Sequence, residues 1–418
     1  MEAFIVEGGY RLEGSLRVDS AKNAVLPLMA ASVLTPEEVT LTDVPDIADR
    51  HSMAEILSIL GAKVTPTGRG LTISSGGLHN WEMPDRLSKR IRSSIFLLGP
   101  ILSRFRRATV TYPGGCEIGL RPIDLHLNGL RCLGVSIHEE GGLIHCDGTR
   151  MHAGEIHFDY PSVGATENVM MAAALLPGET VIHNAAREPE IVDLQQMMNR
   201  MGAKVRGAGG QTICVEGVKA LHGVTWKPMP DRIVAGTLLA AAAITGGEIE
   251  LTDAPVSDMV AVNAKLREMG CVLHEEPHRL TLTAPRRLTA FAQLQTQPHP
   301  GFPTDMQVQM LALLCASEGT GVVVENVFEN RFTHAGDLNR MGAHILCSGR
   351  TAVVRGVETL YGARVTARDL RGGAALVLAG LRAQGVTQVD RADLIDRGYD
   401  HLEKQLCALG GKVTRIEA

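Results

Sequence analysis

The chain has 418 residues, 45% of them hydrophobic and 21% charged, with a formal net charge of −5. That is enough apolar material for a globular protein of roughly two to three domains, each with its own core, and the charge balance gives no overall case for nucleic-acid or membrane binding. The eight cysteines are scattered with no Cys-x-x-Cys pair, which argues against a zinc site and fits reduced thiols in a cytoplasmic protein.

From the N-terminus, Met1 to Glu7 has no basic segment leading into a long apolar run, so no signal peptide is expected. Gly8, Leu12 and Gly14 then set a spacing that returns as Gly217, Leu221, Gly223 and as Gly356, Leu360, Gly362. Ala24 to Leu34 is apolar on every side and small, the mark of a fully buried helix. A short strand, Val39 to Thr42, follows. In the next helix Met53, Ile56, Leu57 and Leu60 lie at i, i+3, i+4 and i+7, one apolar face. Gly61 sits where a helix C-cap is expected, and two strands close the unit.

This order recurs. The glycine phrase appears as Leu60-Gly61, Leu133-Gly134, Met201-Gly202, Met269-Gly270, Met341-Gly342 and Leu409-Gly410, at spacings of 73, 68, 68, 72 and 68 residues. Six copies at a nearly fixed period predict a repeat of domain-sized supersecondary units. Further buried helices are predicted at Val169 to Leu176 and Val234 to Ile244, the latter too short an apolar run to span a bilayer. The sixth unit lacks its last strands, so residues 1 to about 21 are expected to complete it. Three units per domain then divide the chain into 22–229 and 1–21 plus 230–418. The crossings fall near Ser20-Ala21 and Met229-Pro230, and two parallel linkers would form a hinge beside a cleft.

Pro113-Gly114-Gly115-Cys116-Glu117-Ile118-Gly119-Leu120-Arg121 cannot be a regular helix or strand interior; it reads as a surface loop presenting a thiol. Arg121 near Cys116 would favour the thiolate and attract an anionic reactant. Cys132, Cys214, Cys271 and Cys407 fall in or beside regular elements, which suggests burial. The buried helices are predicted to begin at Lys22-Asn23, Arg92-Ser93-Ser94, Ser162-Val163-Gly164, Asp231-Arg232, Thr304-Asp305 and Asp369-Leu370-Arg371. Cations at helix N-termini oppose the helix dipole, and an anionic ligand between them would explain the recurrence. Arg121, Arg187, Arg331 and Arg397 precede the amphipathic helices and add guanidinium groups suited to carboxylate and phosphate. No phosphate-binding P-loop or complete dinucleotide fingerprint is present, and Gly207-Ala208-Gly209-Gly210 reads as a hairpin turn, so a kinase or dehydrogenase is disfavoured. Asp305 is either an N-cap or a proton acceptor. The histidines are expected in surface or capping roles, and Met197, Met198 and Met201 in the core.

Ser20-Ala21-Lys22-Asn23-Ala24, Pro113 to Cys116, Arg121-Pro122-Ile123-Asp124-Leu125-His126, Ala186 to Asp193, Phe302-Pro303-Thr304-Asp305-Met306-Gln307 and Phe328-Glu329-Asn330-Arg331-Phe332 resemble the UDP-N-acetylglucosamine 1-carboxyvinyltransferases, in order from about Gly8 to Gly411. The cysteine loop separates this family from its siblings, the enolpyruvylshikimate-phosphate synthases. The resemblance implies an α/β fold of two inside-out barrels, each of three repeats, with buried helices surrounded by sheets. It implies transfer of the enolpyruvyl group of phosphoenolpyruvate to the 3′-hydroxyl of UDP-N-acetylglucosamine, opening peptidoglycan precursor synthesis in the cytoplasm, with no cofactor and no metal. Lys22, Arg121 and Arg397 would hold phosphoenolpyruvate. Cys116 would be the general acid, and the family's epoxide inhibitor fosfomycin alkylates this cysteine. Asp305 would help deprotonate the hydroxyl. Asn23, Arg92, Arg121, Pro122, Ile123, Asp124, Leu125, Ser162, Val163, Gly164, Asp305 and Val327 would line the UDP-sugar site. Arg331 joins the substrate-binding set, and Asp369 and Arg371 belong to the catalytic surround. The chain departs from the family pattern at Ala48 and Tyr160, where many relatives carry lysine, and at Phe96, where some carry tryptophan. An enolpyruvyl transferase with another acceptor, or a non-catalytic UDP-sugar-binding paralogue, are the competing readings.

Overall fold

The computed structural model describes residues 2–112, 114 and 123–417. Helices that lack a polar face lie at the centre: Lys22–Ala31, Leu98–Phe105, Val163–Ala173, Arg232–Thr245, Thr304–Cys315 and Leu370–Arg382. The second is entered through a 3-10 turn, Arg92–Leu97. Small residues let these helices approach closely. A Cβ on Gly99 would lie 2.2 Å from the Asn168 carbonyl oxygen, and one on Gly236 2.8 Å from Met306. Arg232–Thr245, Thr304–Cys315 and Leu370–Arg382 pack on one another, and Leu98–Phe105 packs on Val163–Ala173.

Among the described residues six sheets surround the helices, five of four strands and one of three. Each joins the strand that follows a buried helix to the hairpin that follows a glycine phrase. A further strand or bridge comes from the preceding unit and runs parallel. Glu82 pairs with Thr109, Glu155–His157 with Glu179–His183, and Val224–Trp226 with Glu38–Leu41. In the remainder of the chain Gln293–Gln295 joins Thr320–Val324, Arg364–Thr366 joins Val386–Asp390, and Glu13–Arg17 joins Glu248–Thr252. The hand-over thus passes from the first unit to the second, the third and back to the first, and likewise from the fourth round to the fourth. Two closed rings of three units result. The N-terminal strand Glu2–Glu7 supplies the missing sixth hairpin strand, with Phe4 opposite both Val389 and Arg415.

The six phrase glycines all have positive φ: +105° at Gly61, +82° at Gly134, +99° at Gly202, +94° at Gly270, +93° at Gly342 and +91° at Gly410. Each is the left-handed stop that ends an amphipathic helix. Met53, Ile56, Leu57 and Leu60 are buried, as are Met197, Met198 and Met201. Gly207 to Gln211 connects two antiparallel strands, as a hairpin turn should.

One apolar cluster gathers residues from Ala21 to Leu221, and a second gathers Phe4 to Val18 with Ile233 to Val413. The chain crosses between them at Ser20 and Pro230, which form an antiparallel bridge. The Ala21 amide donates to the Met229 carbonyl at 2.7 Å and the Asp231 amide to the Asp19 carbonyl at 2.8 Å. The linkers are therefore antiparallel, not parallel, because one leaves the region to which the other returns. Among the described residues no helix is long and apolar enough to cross a membrane.

Candidate active site

The expected helix starts are all found, and several of their side chains take part in buried ion pairs. Lys22 opens its helix with the side chain buried, and its amine lies 2.7 Å from Asp49 Oδ2. Arg397 reaches the same carboxylate with Nε at 2.9 Å from Oδ1 and Nη2 at 3.3 Å from Oδ2. Burial pushes the Lys22 amine down, although Asp49 opposes it. Burial alone would raise the Asp49 carboxyl, but Lys22 and Arg397 outweigh it and hold it below the usual carboxylate range. Asp49 lies in the first turn of Ala48–Ile59, where a negative charge suits the helix dipole.

A second carboxylate group forms around Asp305. Arg331 Nη2 donates to its Oδ1 at 2.9 Å and Arg371 Nε to its Oδ2 at 3.3 Å. Both arginine side chains are only 1% exposed, whereas Asp305 keeps 28%. The N-cap of Thr304–Cys315 is Pro303, without a side-chain cap, so the N-cap alternative for Asp305 is overturned. Asp305 is a first-turn residue that orients two buried guanidinium groups. Arg371 also lies 5.1 Å from the centre of the Tyr399 ring. Asp369 caps Leu370–Arg382 by accepting from the Arg371 and Gly372 amides, both at 3.0 Å. Beside it His334 stands at the N-cap of Ala335–Arg340, as a capping role requires, but its side chain makes no cap bond and is buried rather than at the surface. Burial drives its pKa down to about 4, against the field of Asp369 and with that of Arg331.

Asn23 and Arg92 are half-buried at their helix starts. Ser162 caps Val163–Ala173 by accepting from the Ala165 amide at 3.4 Å. Val163 and Gly164 follow in the first turn, and a Cβ on Gly164 would lie 2.8 Å from the His126 ring. Ile123 is buried, and Asp124 and Leu125 open Asp124–Cys132. Val327 donates its amide to Glu325 Oε1 at 2.8 Å, and Thr304 Oγ1 donates to Oε2 at 2.9 Å. Cys116, Arg121 and Pro122 lie outside the described residues. Of the other thiols, Cys132 and Cys407 are exposed rather than buried, because they fall on the solvent side near the ends of amphipathic helices. Cys214 is half-buried and Cys271 buried.

The structure thus brings Lys22 and Arg397 together on Asp49, and Asp305, Arg331 and Arg371 together a short way off. Asp49, Asp231 and Glu325 were not legible as site residues. The sequence marks Asp231 only as a helix start. Asp49 carried no signal beyond being an acid in the first turn of an amphipathic helix. Chemically, the array offers cations for a phosphate and a carboxylate, and a carboxylate with one accessible side for a proton.

The family model described as EPSP synthase (3-phosphoshikimate 1-carboxyvinyltransferase) matches residues 6–406. The UDP-N-acetylglucosamine 1-carboxyvinyltransferase 2 of Caldanaerobacter subterraneus subsp. tengcongensis is 48% identical over 416 residues, covering 100% of both chains. The UDP-N-acetylglucosamine 1-carboxyvinyltransferase 1 of Symbiobacterium thermophilum is 51% identical over 421 residues, covering 99% of this chain and 95% of that one. Among solved structures, the enolpyruvyl transferase NikO from Streptomyces tendae superposes with a TM-score of 0.89 at 24% identity, covering 100% of this chain and 99% of its own. An EPSP synthase from Acinetobacter baumannii superposes with a TM-score of 0.76 at 16% identity, covering 100% of each. These two structures bear on the fold alone.

Proposed function

The chain belongs to the EPSP synthase family and, within it, to the UDP-N-acetylglucosamine 1-carboxyvinyltransferases; from that premise we propose that it transfers the enolpyruvyl group of phosphoenolpyruvate to the 3′-hydroxyl of UDP-N-acetylglucosamine and releases phosphate, the first committed step of peptidoglycan precursor synthesis. The observation that carries the reading is the end-to-end likeness to enzymes of that name. The geometry supports it. Residues 22–229 and 1–21 plus 230–418 are the two domains in this reading, with the site in the cleft between them. Two apolar clusters that divide near the chain crossing favour that division.

Lys22 and Arg397, with Arg121, bind the phosphate and carboxylate of phosphoenolpyruvate. An incoming trianion competes with Asp49 for both cations, so the site is already assembled before that substrate arrives. Cys116 delivers a proton to the methylene carbon, which leaves a cationic centre at the neighbouring carbon. The sugar hydroxyl attacks that centre and its proton passes to Asp305. Arg331 and Arg371 hold the Asp305 carboxylate in a fixed orientation. The resulting ketal returns a methyl proton to the Cys116 thiolate and expels phosphate, which carries off the proton taken up by Asp305, and the double bond is restored. Asn23, Arg92, Ile123 to Leu125, Ser162 to Gly164 and Val327 line the UDP-sugar side, and Asp369 with Arg371 completes the surround. The protein acts in the cytoplasm on small molecules.

Phosphate release from phosphoenolpyruvate, with the sugar product followed by mass spectrometry, tests the reading. Release that depends on UDP-N-acetylglucosamine, with a product heavier by one enolpyruvyl group, is expected. Turnover with another hydroxylated acceptor and none with this one would replace the acceptor. Binding of the UDP-sugar without any phosphate release would make the protein a sensor.

A further inference from the structure

We propose that Asp231 is a positioning residue for the transfer reaction, one carboxylate at the domain crossing that holds Lys22 from behind and ties its placement to the hinge. The proposal rests on the reading of Lys22 as a phosphoenolpyruvate ligand.

Asp231 is only 3% exposed. Its Oδ1 accepts from the Ile233 and Val234 amides at 2.7 and 2.9 Å, the ordinary cap of its own helix. Its Oδ2 does something a cap does not require. It accepts the Lys22 amide at 3.1 Å, across 209 residues of chain. The helix Lys22–Ala31 has Ala21 at its N-cap and no side-chain cap of its own, so its first amide would otherwise lack a partner. One buried side chain therefore caps the first helix of one ring and the first helix of the other. Its own amide donates to Asp19 at the crossing, next to the Ala21–Met229 hydrogen bond. Any rotation of the two linkers must move Asp231, and with it the residue that bears the Lys22 amine.

Burial raises the Asp231 carboxyl, and Arg371 is the charge that opposes the shift most. Arg371 is also the arginine whose Nε holds Asp305. Asp231 thus stands between the Lys22–Asp49–Arg397 group and the Arg371–Asp305 group. A helix cap needs one acceptor, which asparagine or serine supplies as well as aspartate. The second oxygen and the buried charge are explained by the second helix and by Arg371.

Asp231→Asn and Asp231→Ser in the full chain separate the roles. Both keep an acceptor for the helix Arg232–Thr245. Neither offers a charged second oxygen to the Lys22 amide. The KM for phosphoenolpyruvate is expected to rise about 10- to 100-fold, as for a displaced ligand-holding group. The KM for UDP-N-acetylglucosamine should stay within about twofold, since Lys22 is read as a ligand of the other substrate. Folded variants with unchanged phosphoenolpyruvate kinetics, or with both KM values raised together, would overturn the proposal. Should neither variant fold, amide hydrogen exchange of the unaltered protein decides. The Lys22 amide is expected to exchange as slowly as amides inside the helix, and exchange as fast as a free first-turn amide would overturn the contact. Absence of phosphate release by the unaltered protein would instead defeat the functional reading and leave the exchange measurement to judge Asp231.

Discussion

The role of Asp305 is set by its two arginine partners rather than by its place at a helix start. As a helix cap its removal would cost about 1 kcal/mol. It instead pairs with two arginines that are almost wholly buried, so Asp305→Ala removes a buried ion-pair partner from both, a loss on the order of 3 kcal/mol. Asp305→Asn keeps one acceptor and removes the base. Its turnover is expected to fall on the order of 100-fold while its melting curve shifts less than that of the alanine variant; near-normal phosphate release by a folded Asp305→Asn protein would exclude the base role. His334 provides a pH signature. Its folded pKa of about 4 lies below the ordinary 6.5, so the unfolded chain takes up the proton first as pH falls. Its contribution is whole above pH 6.5 and is lost between about 6.5 and 4, on the order of 3 kcal/mol across that window. His334→Gln should flatten this part of the acid-stability curve, measured by denaturant titration at stepped pH. For Cys116, the test is chemical. Burial pushes the thiols of Cys146, Cys271 and Cys315 up to about 12, whereas Cys132, Cys347 and Cys407 are exposed and serve as internal controls. Mass spectrometry after fosfomycin treatment with the UDP-sugar present is expected to place the adduct on Cys116. Cys116→Asp should stay active and resist the epoxide, because a carboxylic acid can deliver the proton without a thiol's nucleophilicity.

At the level of elements, the recurring Gly-x-x-x-Leu-x-Gly spacing has a steric cause. Gly8, Gly217 and Gly356 each pass against the carbonyl end of a buried helix. A Cβ there would lie 1.9 Å from the Ala383 oxygen, 1.5 Å from that of Leu176 and 1.8 Å from that of Ser317. Leu12, Leu221 and Leu360, four residues on, are all buried and pin the same crossing. Gly217→Ala cannot be absorbed by a side-chain rotation, because the obstacle is backbone. A loss of about 2–3 kcal/mol is expected, read as a lower midpoint in urea, and an unchanged midpoint would mean that the strand can lift off the helix end.

For the whole molecule, charged contacts run between the two rings. Arg397 meets Asp49, and Arg232 meets Glu190 at 3.0 Å in a buried pair. Arg17 forks onto Asp43 at 2.5 and 2.6 Å. Apolar contact between the rings is sparse, since the two clusters are separate. An interface held mainly by ion pairs opens more readily than an apolar one. We therefore expect saturating UDP-N-acetylglucosamine to shift the population toward a closed form, with a smaller radius of gyration in small-angle scattering. Scattering that does not change on binding would count against ligand-driven closure.

The periodic features of the fold were legible in the chain because they are local. Six glycine phrases, the all-apolar helices and the unfinished sixth unit each depend on neighbours within a few turns, and every one has its counterpart in the structure. The positions of the cations at helix starts were legible for the same reason. What balances those cations was not. Asp49 meets Arg397 across 348 residues and also takes the Lys22 amine, and no spacing in the chain announces such pairs. The antiparallel crossing, the burial of His334 and the outward turn of Cys132 and Cys407 likewise depend on which surfaces other units cover. Composition and periodicity determine what each segment is. Ring closure brings distant segments together, and that alone determined which charges meet.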